Sequence, residues 1–377
     1  MAQTKTDYGL IYNTDGSVCT TVRSDQIPFP GVRSFAVEEA TENLFKPPFD
    51  YVHSNFLVSV SDPTGKFDTV IRANPATGSS YMFKDIQTVI DTAYSGQVWC
   101  YVSPDFDGTG WVGIRCERGL NALGAYYNKS KKGTWQFLKK ENVVATSTNS
   151  RLLLYIFNGF TSGYVLFKNF QVEQKPFCTS FVDGSRPTGR LVISVEDLKF
   201  DIANDDWVIS YWKYPVATYN DTQNSYNLCT LGQWASNKTK GYIEFGKENN
   251  MNKYRLAVAL NDATAVAINS NNTFNPTDYF YHWHYEVVKK SGKVLSYYVD
   301  GVKQCELTIP ANKEIQTPFD VGLSLGGYYL ENIFYPTNAL IAAPYYGYNS
   351  ATWTDDYIRE VYEAKIPFAV QNQLSIY

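Results

Sequence analysis

Runs of alternating aromatic and β-branched residues, each closed by its own turn, constrain this chain more than any other feature. Trp207-Val208-Ile209-Ser210-Tyr211-Trp212 reads as a strand apolar on both faces, and Leu256, Val258 and Leu260 alternate strictly ahead of an Asn261-Asp262 turn. Tyr281 to Val288 reads as a further strand, and Tyr297-Tyr298-Val299-Asp300-Gly301-Val302 as a hairpin with Asp-Gly at its tip. Period-2 alternation of such residues specifies strands, and Asp-Gly suits a two-residue hairpin because both positions take positive φ. One helix ends the series: Thr354 can cap it, Asp355 and Asp356 occupy its first turn, and Ile358, Val361 and Tyr362 form its apolar stripe.

The first half is strand-rich too. Its clearest strands are Gln97 to Val102, Trp111 to Cys116, Trp135 to Leu138, Leu152 to Phe157 and Tyr164 to Val172. A cluster of turn formers from Asp183 to Gly189 separates two apolar-periodic regions and marks a joint. The expected organisation is therefore an N-terminal arm over residues 1–34, one β-sandwich over 35–185, a second over 190–368 and a tail over 369–377. Scarce helix and many short strands with frequent turns make the fold class all-β, two tandem β-sandwich jelly rolls preceded by an extended arm. An arm of this kind is ordered only when tied to something else.

Composition narrows the function classes. The 377 residues include 30 Tyr and 22 Phe but only 19% charged residues, a balance that suits surfaces binding by contact. A net charge of −4 with no basic run gives nothing to attract a phosphate backbone, so nucleic acid is not an expected partner. No segment approaches the roughly 18 apolar residues of a membrane span, and none is expected to insert. Residues 1–13 lack the apolar stretch of a signal peptide, so export by the ordinary secretory route is not expected. The six cysteines form no CxxC pair. Cys100 and Cys116 flank Gly108 symmetrically, and a hairpin there would set them opposite each other; reduced, buried thiols are the expectation.

Residues 190–368 resemble the laminin-G/concanavalin-A-like superfamily of lectin and glucanase jelly rolls. The resemblance rests on ordered pieces: Asp206 to Lys213, Trp283-His284, Tyr298-Val299-Asp300-Gly301 and the capped helix within Thr352 to Ala364. Residues 35–185 resemble a carbohydrate-binding-module jelly roll found in bacteriophage structural proteins. Phe35 to Phe45 is similar to a Glu-x-Ala-x-x-Asn-Leu opening phrase of phage tail proteins. Phe170-Gln171-Val172-Glu173 with Thr179-Ser180-Phe181 is similar to their Gln-x-Glu closing phrase, and Gly133-Thr134-Trp135 to a Gly-x-Trp strand start. The resemblance implies a virion protein, a tail fibre or host-attachment component contacting a cell-surface glycan. It also implies partners in the particle reached through the arm, and a homo-oligomer, a trimer by analogy.

Catalysis has little to work with in the sequence. Retaining glucanases of this fold carry Glu-x-Asp-x-x-Glu on one strand to set two carboxyls about 5 Å apart; this chain contains no Glu-x-Asp. Only three histidines are present, with no Gly-x-Ser-x-Gly elbow, and the expectation is a protein that is not an enzyme. His282 and His284 could face one way and hold a metal, or simply pack beside Trp283. Asp105-x-Asp107-Gly108-x-Gly110 reads as a plain hairpin loop or as a calcium-binding turn, calcium being the one cofactor considered. Sugars dock on exposed rings rimmed by polar groups. The candidate glycan contacts are Trp111, Trp234 and the segment read as a loop carrying Tyr345, Tyr346, Tyr348 and Asn349. The alternatives are a decoration protein that binds no glycan and a polysaccharide depolymerase with a non-standard site.

Overall fold

The computed structural model describes residues 10–12, 18–23, 28, 32, 34–179, 181–216, 227–248 and 252–365, and their fold is all-β. They form two units: Thr41–Arg186, and a second unit drawn from Met1–Ala40 and Pro187–Tyr377. The first, here the inserted unit, therefore begins at Thr41 and not at residue 35. Ser34–Val37 is a strand of the other, split unit, where it pairs with Ala339–Tyr348 and sets Phe35 opposite Ile341. The four residues of this strand are all buried, so it needs neighbours on both edges, and an interior place in a sheet supplies them.

The inserted unit is a sandwich of two five-stranded antiparallel sheets. One runs Trp135–Val144, Ala93–Val102, Val165–Glu173, Thr69–Ala73, Phe56–Ser61; the other runs Gly124–Tyr126, Val112–Cys116, Asn149–Ile156, Ser80–Gln87, Tyr51–Val52. Side chains of alternate residues meet between them: Val98, Cys100 and Val102 from the first sheet, Ile114, Cys116, Leu152, Leu154 and Ile156 from the second. The symmetric hairpin through Gly108 does not form, because Ala93–Val102 and Val112–Cys116 belong to different sheets. Cys100 and Cys116 are both buried free thiols, as expected.

The two ends of this unit are fastened together by the phrases singled out in the sequence. Asn43 Oδ1 accepts from the Phe45 and Val172 amides, and its Nδ2 donates to the Phe170 carbonyl. Glu173, 1% exposed, accepts from the Thr41 hydroxyl, the Thr179 amide and hydroxyl, and the Gln171 amide group. Burial raises the Glu173 pKa above the ordinary carboxylate value, against the pull of those donors.

The split unit is a second sandwich. Its eight-stranded sheet runs Leu10–Tyr12, Val18–Arg23, Ser34–Val37, Ala339–Tyr348, Trp207–Pro215, His284–Ser291, Val294–Val299, Val302–Thr308. The facing six-stranded sheet runs Leu191–Ile193, Leu323–Leu325, Asn227–Gly232, Tyr242–Lys247, Tyr254–Ala259, Ala265–Asn269. The arm expected over residues 1–34 is thus represented by strands that extend the chain's own sheet: Leu10–Tyr12 pairs with Val18–Arg23, which pairs with Ser34–Val37. The tail over 369–377 lies outside the described residues.

The strand Trp207–Pro215 is buried on both faces because each face is covered. Trp207, Ile209 and Tyr211 join the core between the sheets, while Val208 and Trp212 pack with Ile358 and Val361 of the helix Asp355–Ala364. Thr354 caps that helix, accepting from the Tyr357 amide at 3.2 Å. The Asp-Gly hairpin forms as expected, with Asp300 at φ 51° and Gly301 at φ 78°. The strand expected from Tyr281 starts at His284 instead, because Tyr281 takes φ 63° and turns the chain. No helix among the described residues is long and apolar enough to cross a membrane.

Candidate functional site

In a sheet with one face packed inward, the parity of each strand decides what the other face presents. Ser80–Gln87 sends Met82 and Ile86 into the core of the inserted unit and leaves Tyr81, Phe83 and Asp85 on the outer face. Asn149–Ile156 buries Leu152, Leu154 and Ile156, so Arg151, Leu153 and Tyr155 face outward, continued by Phe157. Leu152 to Phe157, read from sequence as a strand, thus alternates between core and outer face, with Leu153 buried on the outer side. Val112–Cys116 buries Val112, Ile114 and Cys116, turning Trp111, Gly113 and Arg115 the other way. Tyr126 and Tyr51 come from the two edge strands.

The register aligns these outward residues in rows across the sheet. Tyr126, Gly113, Tyr155 and Tyr81 form one row; Gly124, Arg115, Leu153, Phe83 and Tyr51 form the next. Seven rings then make a continuous ribbon. Centroids are 5.4 Å apart from Tyr126 to Trp111, 5.6 Å from Trp111 to Phe157 and 6.0 Å from Phe157 to Tyr155. Tyr155 to Tyr81 is 6.3 Å, Tyr81 to Tyr51 is 5.3 Å and Tyr51 to Phe83 is 5.7 Å. Five strands at about 4.8 Å spacing make this face roughly 19 Å wide, enough for an oligosaccharide. The rings are open: Trp111 is 55% exposed, Tyr126 41%, Tyr51 40% and Phe157 37%.

Charged groups border the ribbon. The Arg151 guanidinium lies 4.0 Å from the Phe83 ring centroid and grips Asp85 with two hydrogen bonds of 2.8 Å. Arg118 approaches Asp85 at 3.3 Å, and Glu117 approaches Arg151 at 3.5 Å. The Arg151 hydrogen bond lowers the Asp85 pKa, keeping it ionised. Arg115 stacks over Tyr155 at 5.0 Å.

The other sheet of this unit carries rings outward as well, but its own chain covers most of them. Lys66 sits 3.4 Å over Trp99, Phe67 meets Trp135 edge-on at 4.9 Å, and the Trp135 indole donates to the Thr64 hydroxyl at 2.7 Å. Asp62 holds that loop by accepting from the Thr64, Lys66 and Phe67 amides. Phe137 stays 44% exposed beside Trp99 at 5.1 Å, and the ribbon from Trp111 to Tyr51 is the longer open run of rings on this unit.

Of the glycan contacts read from sequence, Trp111 is in this ribbon and the others are in the split unit. Trp234 is half-buried, edge-on to Tyr242 at 5.3 Å, and its backbone is tied to Tyr329 and Glu331. Tyr345, Tyr346 and Tyr348 do not form a loop; they end the strand Ala339–Tyr348 and divide between its faces. Tyr345 stacks on Trp353 at 5.3 Å on the helix side, whereas Tyr346 and Tyr348 turn toward Phe200. Asn349 takes φ 64° and starts a short 3-10 turn. Parity is what separates them.

Asp107 is a loop anchor: it accepts from the Thr161 amide and hydroxyl and the Ser162 amide, contacts that bring its pKa down to about 2. Asp105 is exposed, and no group of three or more His, Cys, Asp or Glu side chains that could hold a metal occurs among the described residues. His284 is bonded through both ring nitrogens, to Asp300 at 2.6 Å and to the Tyr279 carbonyl at 3.0 Å, which leaves neither for a metal. Sequence reasoning missed Tyr51, Tyr81, Phe83, Tyr126, Tyr155, Phe157 and Arg115. The signal was available in Tyr81-x-Phe83-x-Asp85 and Arg151-x-Leu153-x-Tyr155-x-Phe157, where large or charged residues recur at period 2; in the second run they alternate with the fully apolar set Leu152, Leu154 and Ile156.

No protein-family model matches this chain, and no curated protein matches it in sequence. Among solved structures it is similar to the CBM40 module of the Ruminococcus gnavus IT-sialidase bound to α2,3 sialyllactose. That match has 13% identity, covers 42% of this chain and 83% of that one, and has a TM-score of 0.31. The botulinum neurotoxin type G receptor-binding domain matches at 14% identity over 47% of each chain, with a TM-score of 0.29. The binding domain of Paraclostridial Mosquitocidal Protein 1 matches at 13% identity over 43% of this chain and 37% of that one, TM-score 0.31. Likeness at this level assigns nothing to individual residues.

Proposed function

We propose that this protein binds carbohydrate, non-enzymatically, through the aromatic ribbon of the inserted unit. The observation that carries this reading is the run of seven rings from Tyr126 to Tyr51 on one open sheet face. Pyranose rings present flat patches of C–H that lie on aromatic faces, while their hydroxyls need donors and acceptors at the border. The arginines and Asp85 supply those. A patch of this kind left uncovered marks an interaction surface.

The setting we propose is a host-attachment or tail-fibre component of a phage virion, contacting glycans of the host surface. Its support is the pair of sequence phrases that fasten the ends of the inserted unit, around Asn43 and Glu173. Several copies, a trimer by analogy, would turn weak single contacts into useful avidity. The partners in the particle, reached through residues 1–34, belong to the same proposal.

Glycan-array binding of the full chain tests the function, with Trp111→Ala and Tyr155→Ala as controls. Binding that both substitutions weaken is expected. Binding untouched by either would move the site elsewhere, and an array without signal would leave decoration as the better reading. Labelling of intact particles tests the setting: distal display is expected, and absence from particles would refute it.

A further inference from the structure

We infer that the ribbon is built for an acidic saccharide, with Arg115 as the residue that reads the sugar carboxylate; this rests on the ribbon being a sugar-binding face. The face carries two stacked guanidiniums in different states. Arg151 lies over Phe83 and is neutralised by Asp85, whose two oxygens meet it side by side. Arg115 lies over Tyr155 in the same manner, half-buried. Among the described residues it has no carboxylate within 4.0 Å and no hydrogen-bond acceptor.

The Arg151–Asp85 pair shows what fits beside a guanidinium held flat on a ring of this face: a carboxylate taken by the planar fork, which suits two parallel bonds. Arg115 offers that fork with its place unfilled. Its neighbours in the register, Leu153 and Gly124, are both uncharged, so the chain supplies no internal counter-ion there. The local balance agrees: among the described residues Arg118 and Arg151 pair with Asp85 and Glu117, and no third carboxylate pairs with Arg115. A carboxylated sugar laid on the rings beside Tyr155 would bring its acid group to Arg115, while the adjoining rings take the neighbouring residues of the oligosaccharide.

The test uses the full chain on an array of carboxylated glycans, each printed beside its methyl ester, with sulfated glycans included. Wild type is expected to bind at least one free acid ten-fold or more tighter than its ester. Arg115→Gln should abolish that difference, Arg115→Lys should restore part of it, and Trp111→Ala should weaken acid and ester alike while leaving the difference between them. Melting curves would confirm that each variant is folded. Equal binding of acid and ester by wild type, or a preference that survives Arg115→Gln, overturns the inference and leaves carbohydrate binding intact. Sulfated glycans bound in preference to carboxylated ones overturn the carboxylate assignment. No binding to any glycan overturns both readings.

Discussion

The carboxylate of Glu173 accepts the hydroxyl of Thr41 at 2.6 Å, joining two residues 132 positions apart at the two ends of the inserted unit. Thr179 and Gln171 donate to the same buried carboxylate. Glu173→Ala would strand these donors, and a loss of about 2–4 kcal/mol is expected by urea denaturation. Because burial raises the Glu173 pKa, its charge-dependent contribution is fully present below the unfolded carboxylate value. It is lost as pH rises through the raised folded value. The stability advantage of wild type over Glu173→Gln should therefore be largest in acid and shrink toward neutral pH.

A second pH dependence, of the same sign, belongs to the split unit. Burial opposes the charge on His284, but the hydrogen bond and charge of Asp300, with the Tyr279 carbonyl, outweigh it and raise its pKa. The stabilisation is complete below about 6.5, the unperturbed histidine value, and fades as pH climbs through the raised value. Asp300→Asn should move the His284 titration to lower pH in imidazole NMR spectra, which contain only three histidines to assign. An unmoved titration would show that Asp300 does not set it.

Lys213 and Glu286 are both fully buried, 3.5 Å apart, and Tyr211 donates to Glu286 at 2.5 Å. Removing one partner leaves an uncompensated charge in the core, so Lys213→Met should cost about 3–5 kcal/mol. Replacing both, as Lys213→Met with Glu286→Leu, should recover a large part of that loss. A double variant no more stable than the single one would contradict this.

On the ribbon, stability and binding should separate. Trp111→Ala removes an exposed ring, so melting should barely move while glycan affinity falls by about 1–2 kcal/mol, roughly five- to thirty-fold. Gly124→Ala acts indirectly: a Cβ there would lie 2.7 Å from the Tyr126 hydroxyl oxygen, displacing that ring from its place beside Trp111. Weaker binding with little loss of stability is expected, measured by calorimetric titration beside thermal melts.

Deleting residues 1–27 should now have a structural cost. Val18–Arg23 covers the open edge of Ser34–Val37, and an uncovered apolar edge invites pairing with other chains. The truncated protein is expected to aggregate by light scattering where the full chain does not.

Much of the architecture was legible locally. The Asp300-Gly301 turn, the Thr354 cap and the strand at Trp207 buried on both faces are each specified by residues adjacent in the chain. Propensity, capping and alternation act over such distances. Tertiary structure alone decided that Ser34–Val37 takes Ala339–Tyr348, about 300 residues on, as its second partner. The same holds for Tyr345, Tyr346 and Tyr348, which divide between two faces, and for the rings from separate strands that line up from Tyr126 through Trp111 to Tyr51. Register between strands distant in sequence depends on which pairing buries the most apolar surface, and that is a property of the whole sandwich. No single strand contains it.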